Sequence, residues 1–274
     1  MSELVTITID NHVADVRLNR PEKMNALSWD MFDAITTAAR ELAANREVRA
    51  VVLSGEGKGF CAGMDLENFS GGMGNDPFGN GRGDSHPNYY QAPAYLWKAI
   101  PAPVICAVHG AAYGGGFQIA LGADIRIAHP GSKFSLMEIK WGMIPDMSAS
   151  QTLRDLVRVD VAKELSYTGR VVGGEEAHSL GLVTRLSDTP YEDAMAMARE
   201  IAVKNPDAVA RSKYMFETTW RDSSVDGLAE EQRLQTPILG RPNQVESVMA
   251  ALEGREPSFS DRAFGDFSEL AKEA

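Results

Sequence analysis

Polar and apolar residues alternate along VTITID (5–10) and again along VADVRLN (13–19). Alternation with period two reads as half-buried strands, and the Asn11-His12 pair between them predicts a tight hairpin turn. The alternation breaks at RPEKMNALSWDM. Ser28 then stands where a cap is wanted for a helix through FDAITTAARELAAN, whose apolar residues recur at helical spacing. RAVVLSG (49–55) and PAPVICAVHG (101–110) are continuous apolar runs closed by glycine, the pattern of strands covered on both faces. Residues 67–92 are rich in Gly, Asn and Pro and lack periodicity, which predicts a long loop. From about residue 190 the period is helical throughout, in YEDAMAMAREIAVKN, PDAVARSKYMFETTW, VDGLAEEQRLQTPILG and PNQVESVMAALEG. The pattern predicts an α/β core over residues 1–190 and a helical region over 191–274.

Composition adds exclusions. Hydrophobic residues at 44% and charged residues at 24% are the balance of a globular domain. A net charge of −11 lacks the basic surplus of a nucleic-acid footprint, so an anionic ligand has to be held by local donors. Cys61 and Cys106 fit neither a disulfide framework nor a metal spacing, and no His/Cys/Asp/Glu grouping has metal-ligand spacing. MSELVTITIDNH has no basic region followed by an apolar one, and no apolar run approaches membrane-spanning length. The expectation is a cytoplasmic protein with neither nucleic acid nor membrane as a partner.

Chemistry enters at HGAAYGGGFQIALGAD (109–124), where three glycines open a helix directly after a buried strand. Their spacing is not G-x-G-x-x-G, and no acidic residue follows at the distance that holds a ribose, so a dinucleotide site is a poor match. The unpaired N–H groups of a helix start, approachable because glycine has no side chain, suit an oxyanion hole. Close packing of helix on strand would explain the glycines equally well. GEGKGFCAGMDL (55–66) follows another buried strand and places Ala-Gly before Met64, so two such corners on adjacent strands can each aim one N–H at a single oxygen.

RPEKMNALS, FCAGMDL, PVICAVHGAAYGGGFQIALGADIRIA, FSLMEIKWGMIPD, GRVVGGEEAHSLGLVTRL and NPDAVARSK, in this order and spacing, resemble the enoyl-CoA hydratase/isomerase (crotonase) family over essentially the whole chain. The resemblance implies a crotonase-like α/β spiral of repeated ββα units, with FSLMEIKWGMIPD as its catalytic strand and turn and GRVVGGEEAHSLGLVTRL as part of the helical region that follows. It also implies a C-terminal helical region that makes a homotrimer or a dimer of trimers and covers the pocket. Acyl-CoA would be the substrate, with no separate cofactor because coenzyme A is part of it. The backbone N–H groups of Met64 and Gly115 would form the oxyanion hole, and Met24, Ala26, Ala62, Asp65 and Leu66 would lie along the CoA. Hydratases of the family carry glutamates at the positions of Gln118 and Glu138; this chain keeps only the second. An amide holds a water or a polar group but accepts no proton as a base. Asp146 matches the place of a catalytic aspartate in dienoyl-CoA isomerases of the family; its other reading is a turn residue beside a Ser148/Gln151 capping box.

The resemblance therefore implies an enzyme that stabilises an enolate and moves a double bond, with Glu138 as proton shuttle. The alternatives are a hydratase in which Gln118 positions water, and an acyl-CoA-binding member without activity. If the missing carboxylate is what limits hydration, Gln118→Glu raises it. Met137, Met143 and Met147 are expected to line an apolar acyl pocket, and Tyr89, Tyr90, Tyr95 and Trp97 either wall it or pack the core. His109 and Cys61 read as structural.

Overall fold

The computed structural model describes residues 4–70, 87–221 and 224–272. Strands β1 (Val5–Asp10) and β2 (Val13–Leu18) pair antiparallel, from Val5 opposite Leu18 to Asp10 opposite Val13. Asn11 and His12 both take positive φ, 48° and 66°, the conformation a two-residue hairpin needs to match strand twist. After a short 3-10 turn (Pro21–Lys23), helix α1 (Trp29–Ala44) starts at Ser28, whose hydroxyl accepts from the Met31 N–H as the sequence predicts. Strand β3 (Ala50–Gly55) is buried at every position. Helix α2 (Leu66–Ser70) occupies the first part of the expected loop, most of which, residues 71–86, lies outside the described residues. Helix α3 (Ala92–Ala99) leads into strands β4 (Val104–Val108) and β5 (Ala111–Tyr113). The glycines then open α4 (Gly115–Leu121).

Strands β6 (Ile125–Ala128) and β7 (Lys133–Ser135) are followed by a 3-10 helix (Met137–Trp141) and by helices α5 (Ala149–Thr152) and α6 (Val159–Thr168). GRVVGGEEAHSLGLVTRL is mostly not helical: β8 (Val172–Gly173), α7 (Gly174–Ser179) and β9 (Arg185–Leu186) continue the strand–helix alternation. Helices α8 (Pro190–Ala202), α9 (Pro206–Thr219), α10 (Ser224–Gln235), α11 (Pro242–Glu253) and α12 (Phe267–Leu270) complete the chain.

Among the described residues two sheets form, one ordered β1-β2-β3-β4-β6-β9 and one ordered β5-β7-β8. Alternate residues of the central parallel strands supply two cores. Val51, Leu53, Val104 and Cys106 face α1 and the main core, while Ala50, Val52, Ile105 and Ala107 face Ala194, Ala198 and Ala202 of α8. The expected boundary at residue 190 shifts in meaning here. Helix α8 covers the second face of the large sheet and belongs to the core, because a parallel strand buried on both sides needs a layer on each. Apolar residues stay exposed farther on, among them Trp220, Val225, Leu228, Leu239, Val248 and Leu252.

Candidate active site

Strands β3 and β4 run parallel, so the segments leaving their carboxyl ends meet on one side of the sheet. Phe60 and Cys61 donate their N–H groups to the carbonyls of His109 and Ala111, and Tyr113 donates back to Cys61. This short ladder seats Gly63 on the Gly114 corner. Gly63 has φ +90°, and a Cβ there would lie 2.6 Å from the Tyr113 carbonyl oxygen. Gly114 (φ 50°, ψ −123°) caps α4 in a conformation open to glycine alone. Gly116 is needed for space, since a Cβ would fall 2.6 Å from the carbonyl oxygen and the Cβ of Cys61. Gly115 opens the helix, so its N–H has no intrahelical acceptor. Among the described residues the Met64 N–H also makes no backbone hydrogen bond, although its neighbours do: the Gly63 carbonyl accepts from Leu27, and Asp65 donates to Leu27.

Asn25 braces this corner, a role that no motif in the sequence announces. Its fully buried amide donates to the carbonyls of Glu56 (2.9 Å), Gly59 (3.1 Å) and Phe60 (3.0 Å) and accepts from the Arg20 N–H (2.8 Å). Stranding those carbonyls would cost about 1–3 kcal/mol for each left without water. One local signal does exist: Asn is among the few residues that tolerate φ > 0, and here φ is 56°.

The carboxylate sits against the same corner. Glu138 lies on the 3-10 helix after β7 rather than on a strand, tied down because Gly114 donates to the Ser135 carbonyl and Met143 to the Glu138 carbonyl. A Cβ on Gly114 would be 3.4 Å from Glu138 Oε1. Gln118, buried one turn into α4, donates from Nε2 to Glu138 Oε1 at 2.6 Å, and its own Oε1 accepts the Ala149 N–H at 3.2 Å. The amide expected to hold a water or substrate group is thus engaged at both ends by protein. Among the described residues Glu138 Oε2 is buried with no protein partner. Burial raises the pKa of Glu138; the Gln118 hydrogen bond works against that rise, and the charge of Asp146 adds to it.

Asp146 faces the same cavity, reached by solvent yet ringed by enough protein that desolvation raises its pKa as well. The capping box expected beside it does not form. Ser148 is left-handed (φ 72°) and its hydroxyl caps nothing, while Gln151 turns to Ser150. Asp146 is therefore left without the turn-capping partners that would have explained it.

The cavity measures about 430 Å³. Gly63, Met64, Gly114, Gly115, Glu138 and Asp146 meet on its wall, joined by Met137, Met143, Met147, Tyr90 and Trp141. Ala26, Ala62, Asp65 and Leu66 lie toward Lys23 and Glu67, which pair at 2.9 Å. Met24 is the exception among the expected CoA-contacting residues. It does not line the cavity, and its carbonyl instead accepts the Ala62 N–H. Asp65 is locked by Arg20 at 2.5 Å. Burial would raise its pKa, but the Glu67 N–H and the Arg20 guanidinium outweigh that and hold it below the usual range.

Of the four aromatics expected to wall the pocket or pack the core, Tyr90 lines the cavity. Tyr89 stacks on Phe32, and Trp97 is buried core. Cys61 donates to the Asn25 carbonyl, and burial pushes its thiol up to about 12, so it stays protonated. The His109 ring meets the Gly57 carbonyl. A larger hollow of about 760 Å³ lies under α9, but its charged residues include the paired Lys213–Asp124 and Arg221–Asp155, and none of the residues above line it. Among the described residues no cluster of three or more His, Cys, Asp or Glu could hold a metal ion, and no helix is long and apolar enough to cross a membrane.

Comparison with known proteins bears on this geometry. A probable enoyl-CoA hydratase of Mycobacterium leprae is 33% identical over 94% of this chain and 98% of its own length. A peroxisomal Delta(3,5)-Delta(2,4)-dienoyl-CoA isomerase of Arabidopsis thaliana is 32% identical over 94% of this chain and 96% of its own. The crystal structure of an enoyl-CoA hydratase from Bacillus anthracis superposes with a TM-score of 0.86 at 28% identity, covering 93% of this chain and 98% of that one, so the two sheets and their helices form a crotonase fold. The enoyl-CoA hydratase/isomerase family model matches residues 8–262, which takes in both glycine corners, Glu138 and the helices through α11; the chain belongs to that family.

Proposed function

We propose that this protein moves the double bond of a 3-enoyl-CoA thioester to the 2,3 position through an enolate, with Glu138 carrying the proton. The carboxylate takes the C2 proton and the C–H electrons form the enolate, whose oxygen accepts from the Met64 and Gly115 N–H groups. The enolate then collapses, its electrons making the C2–C3 double bond while the former C3–C4 π pair takes the same proton at C4. Proton and electrons balance with no water consumed. The single observation that carries this reading is a buried carboxylate on the same cavity wall as the unpaired Met64 and Gly115 N–H groups, with one of its oxygens unpartnered among the described residues. Coenzyme A would run past Ala26, Ala62, Asp65 and Leu66, mainly on backbone groups.

A second reading, dienoyl-CoA isomerisation with Asp146 serving the far end of the substrate, is favoured by Asp146 facing the same cavity and by the relative that bears that name. Hydration with Gln118 positioning water is less well supported, because that amide is already bound to Glu138. A binder without activity has no use for a buried carboxylate oxygen without a partner.

The test is a side-by-side assay of 2-enoyl-, 3-enoyl- and dienoyl-CoA. Conversion of 3-enoyl-CoA is expected to outrun hydration. Its rate should be lost as pH falls through the Glu138 pKa, and at a higher pH than the 4.5 of an ordinary glutamate. Hydration outpacing migration would overturn the proposal.

A homotrimer or dimer of trimers belongs to the same proposal, supported by the apolar residues left exposed on α10 and α11. Light scattering is expected to report a multiple of three chains; a stable monomer at micromolar concentration would refute it.

A further inference from the structure

We propose that Gln118 is a positioning residue that decides which oxygen of Glu138 carries the proton and keeps water from standing between residues 118 and 138. The inference rests on Glu138 being the base of the reaction proposed above. At 2.6 Å the Gln118 nitrogen and Glu138 Oε1 are in direct contact, so no water fits between them. The other end of the amide takes the Ala149 N–H, which fixes the orientation of the amide: oxygen toward α5, nitrogen toward Glu138. Both neighbours are themselves held. Glu138 sits on a turn tied to Gly114 through β7, and Ala149, three residues after Asp146, opens α5 with its carbonyl accepting from the Leu153 N–H. One buried amide thus bridges the two segments that carry acids.

With Oε1 accepting from Gln118, the proton that Glu138 takes up belongs on Oε2, which makes no hydrogen bond of its own among the described residues. A second glutamate at 118 would have the opposite effect. Two carboxyl groups at this separation push their pKa values apart and titrate as a pair, so Glu138 would no longer titrate alone.

The experiment reads exchange of the C2 protons of hexanoyl-CoA in deuterated water by NMR, across pH, for wild type, Gln118→Met and Gln118→Glu. Exchange needs only a base at C2 and an oxyanion site, so it reports on Glu138 whether or not double-bond migration is the natural reaction. Gln118→Met keeps the volume and removes the donor. It should lower the maximal exchange rate roughly ten- to a hundredfold with little change in KM, and move the acid limb to higher pH, because the lost hydrogen bond had favoured the ionised form. Gln118→Glu should replace the single acid limb by the two apparent pKa values of a coupled pair, whether or not it gains hydration of 2-enoyl-CoA.

An unmoved limb and an undiminished rate in Gln118→Met would overturn the proposal, as would a wild-type pH profile in Gln118→Glu. Should the methionine variant fail to fold, the glutamate variant carries the test alone. Wild type that exchanges the C2 proton but moves no double bond would overturn the isomerase reading and leave the role of Gln118 standing. Wild type that does not exchange it would overturn both.

Discussion

Glu138→Gln is expected to lower double-bond migration by about a hundred- to ten-thousandfold, the usual worth of a general acid/base group, and to leave acyl-CoA binding nearly unchanged. The replacement is nearly isosteric, and the Gln118 nitrogen can still donate to the new amide oxygen, so the fold and the cavity should survive. What disappears is the buried carboxylate at the free N–H groups. Because the proposed reaction takes a proton from C2 in one direction and returns one to it in the other, no rearrangement of Asp146 is expected to compensate. Asp146 stands in the solvent-reached part of the cavity, without a Gln118 to orient it. The measurement is kcat and KM on 3-enoyl-CoA with binding of a saturated acyl-CoA as control. A variant keeping more than a tenth of wild-type kcat would place the base elsewhere.

Gly63→Ala should be nearly as damaging through geometry alone. The new Cβ would sit in a left-handed backbone (φ +90°) and 2.6 Å from a carbonyl oxygen that is itself part of the Gly114 corner. Neither can yield cheaply: Tyr113 is held in β5, and Gly63 is held by the Leu27 N–H. The two corners must part, and the Met64 N–H moves with them. Loss of one oxyanion donor costs roughly a hundred- to a thousandfold in kcat, and strain at such a backbone costs about 1–3 kcal/mol of stability. Gly240→Ala supplies the control. It has φ +74° with open space around its would-be Cβ, so it should show the strain alone, as a lowered melting temperature with kcat intact. Equal kcat losses in both variants would show that the close approach of the corners is not what sets the site.

Local chemistry makes part of this protein legible from the order of its residues. The Asn11-His12 turn, the Ser28 cap, the strands buried on both faces and the glycines at the mouth of α4 each depend on a few consecutive residues, and each forms as the pattern predicts. The retained Glu138 and the amide at 118 are legible too, since residue type at a position needs no coordinates. Other features depend on distance. Glu138 and Gln118 are twenty residues apart, and only the fold puts Nε2 on Oε1, turning a candidate water-holder into a brace. Asn25 reaches across thirty-one to thirty-five residues to hold the 56–60 segment. Met24 does not line the cavity although Lys23 and Ala26 do, and its backbone is left-handed (φ 48°). Ser148 fails to cap, its backbone left-handed where an N-cap is extended, and α8 joins the core because β3 and β4 have a second apolar face to cover. Residue order alone therefore specifies which chemical groups are present and which segments form strands and helices, through rules that act within a turn or two of chain. Which atoms of those groups touch, and so which oxygen is free to react, is a property of the folded chain, because hydrogen bonds and packing between distant segments leave no trace in local pattern.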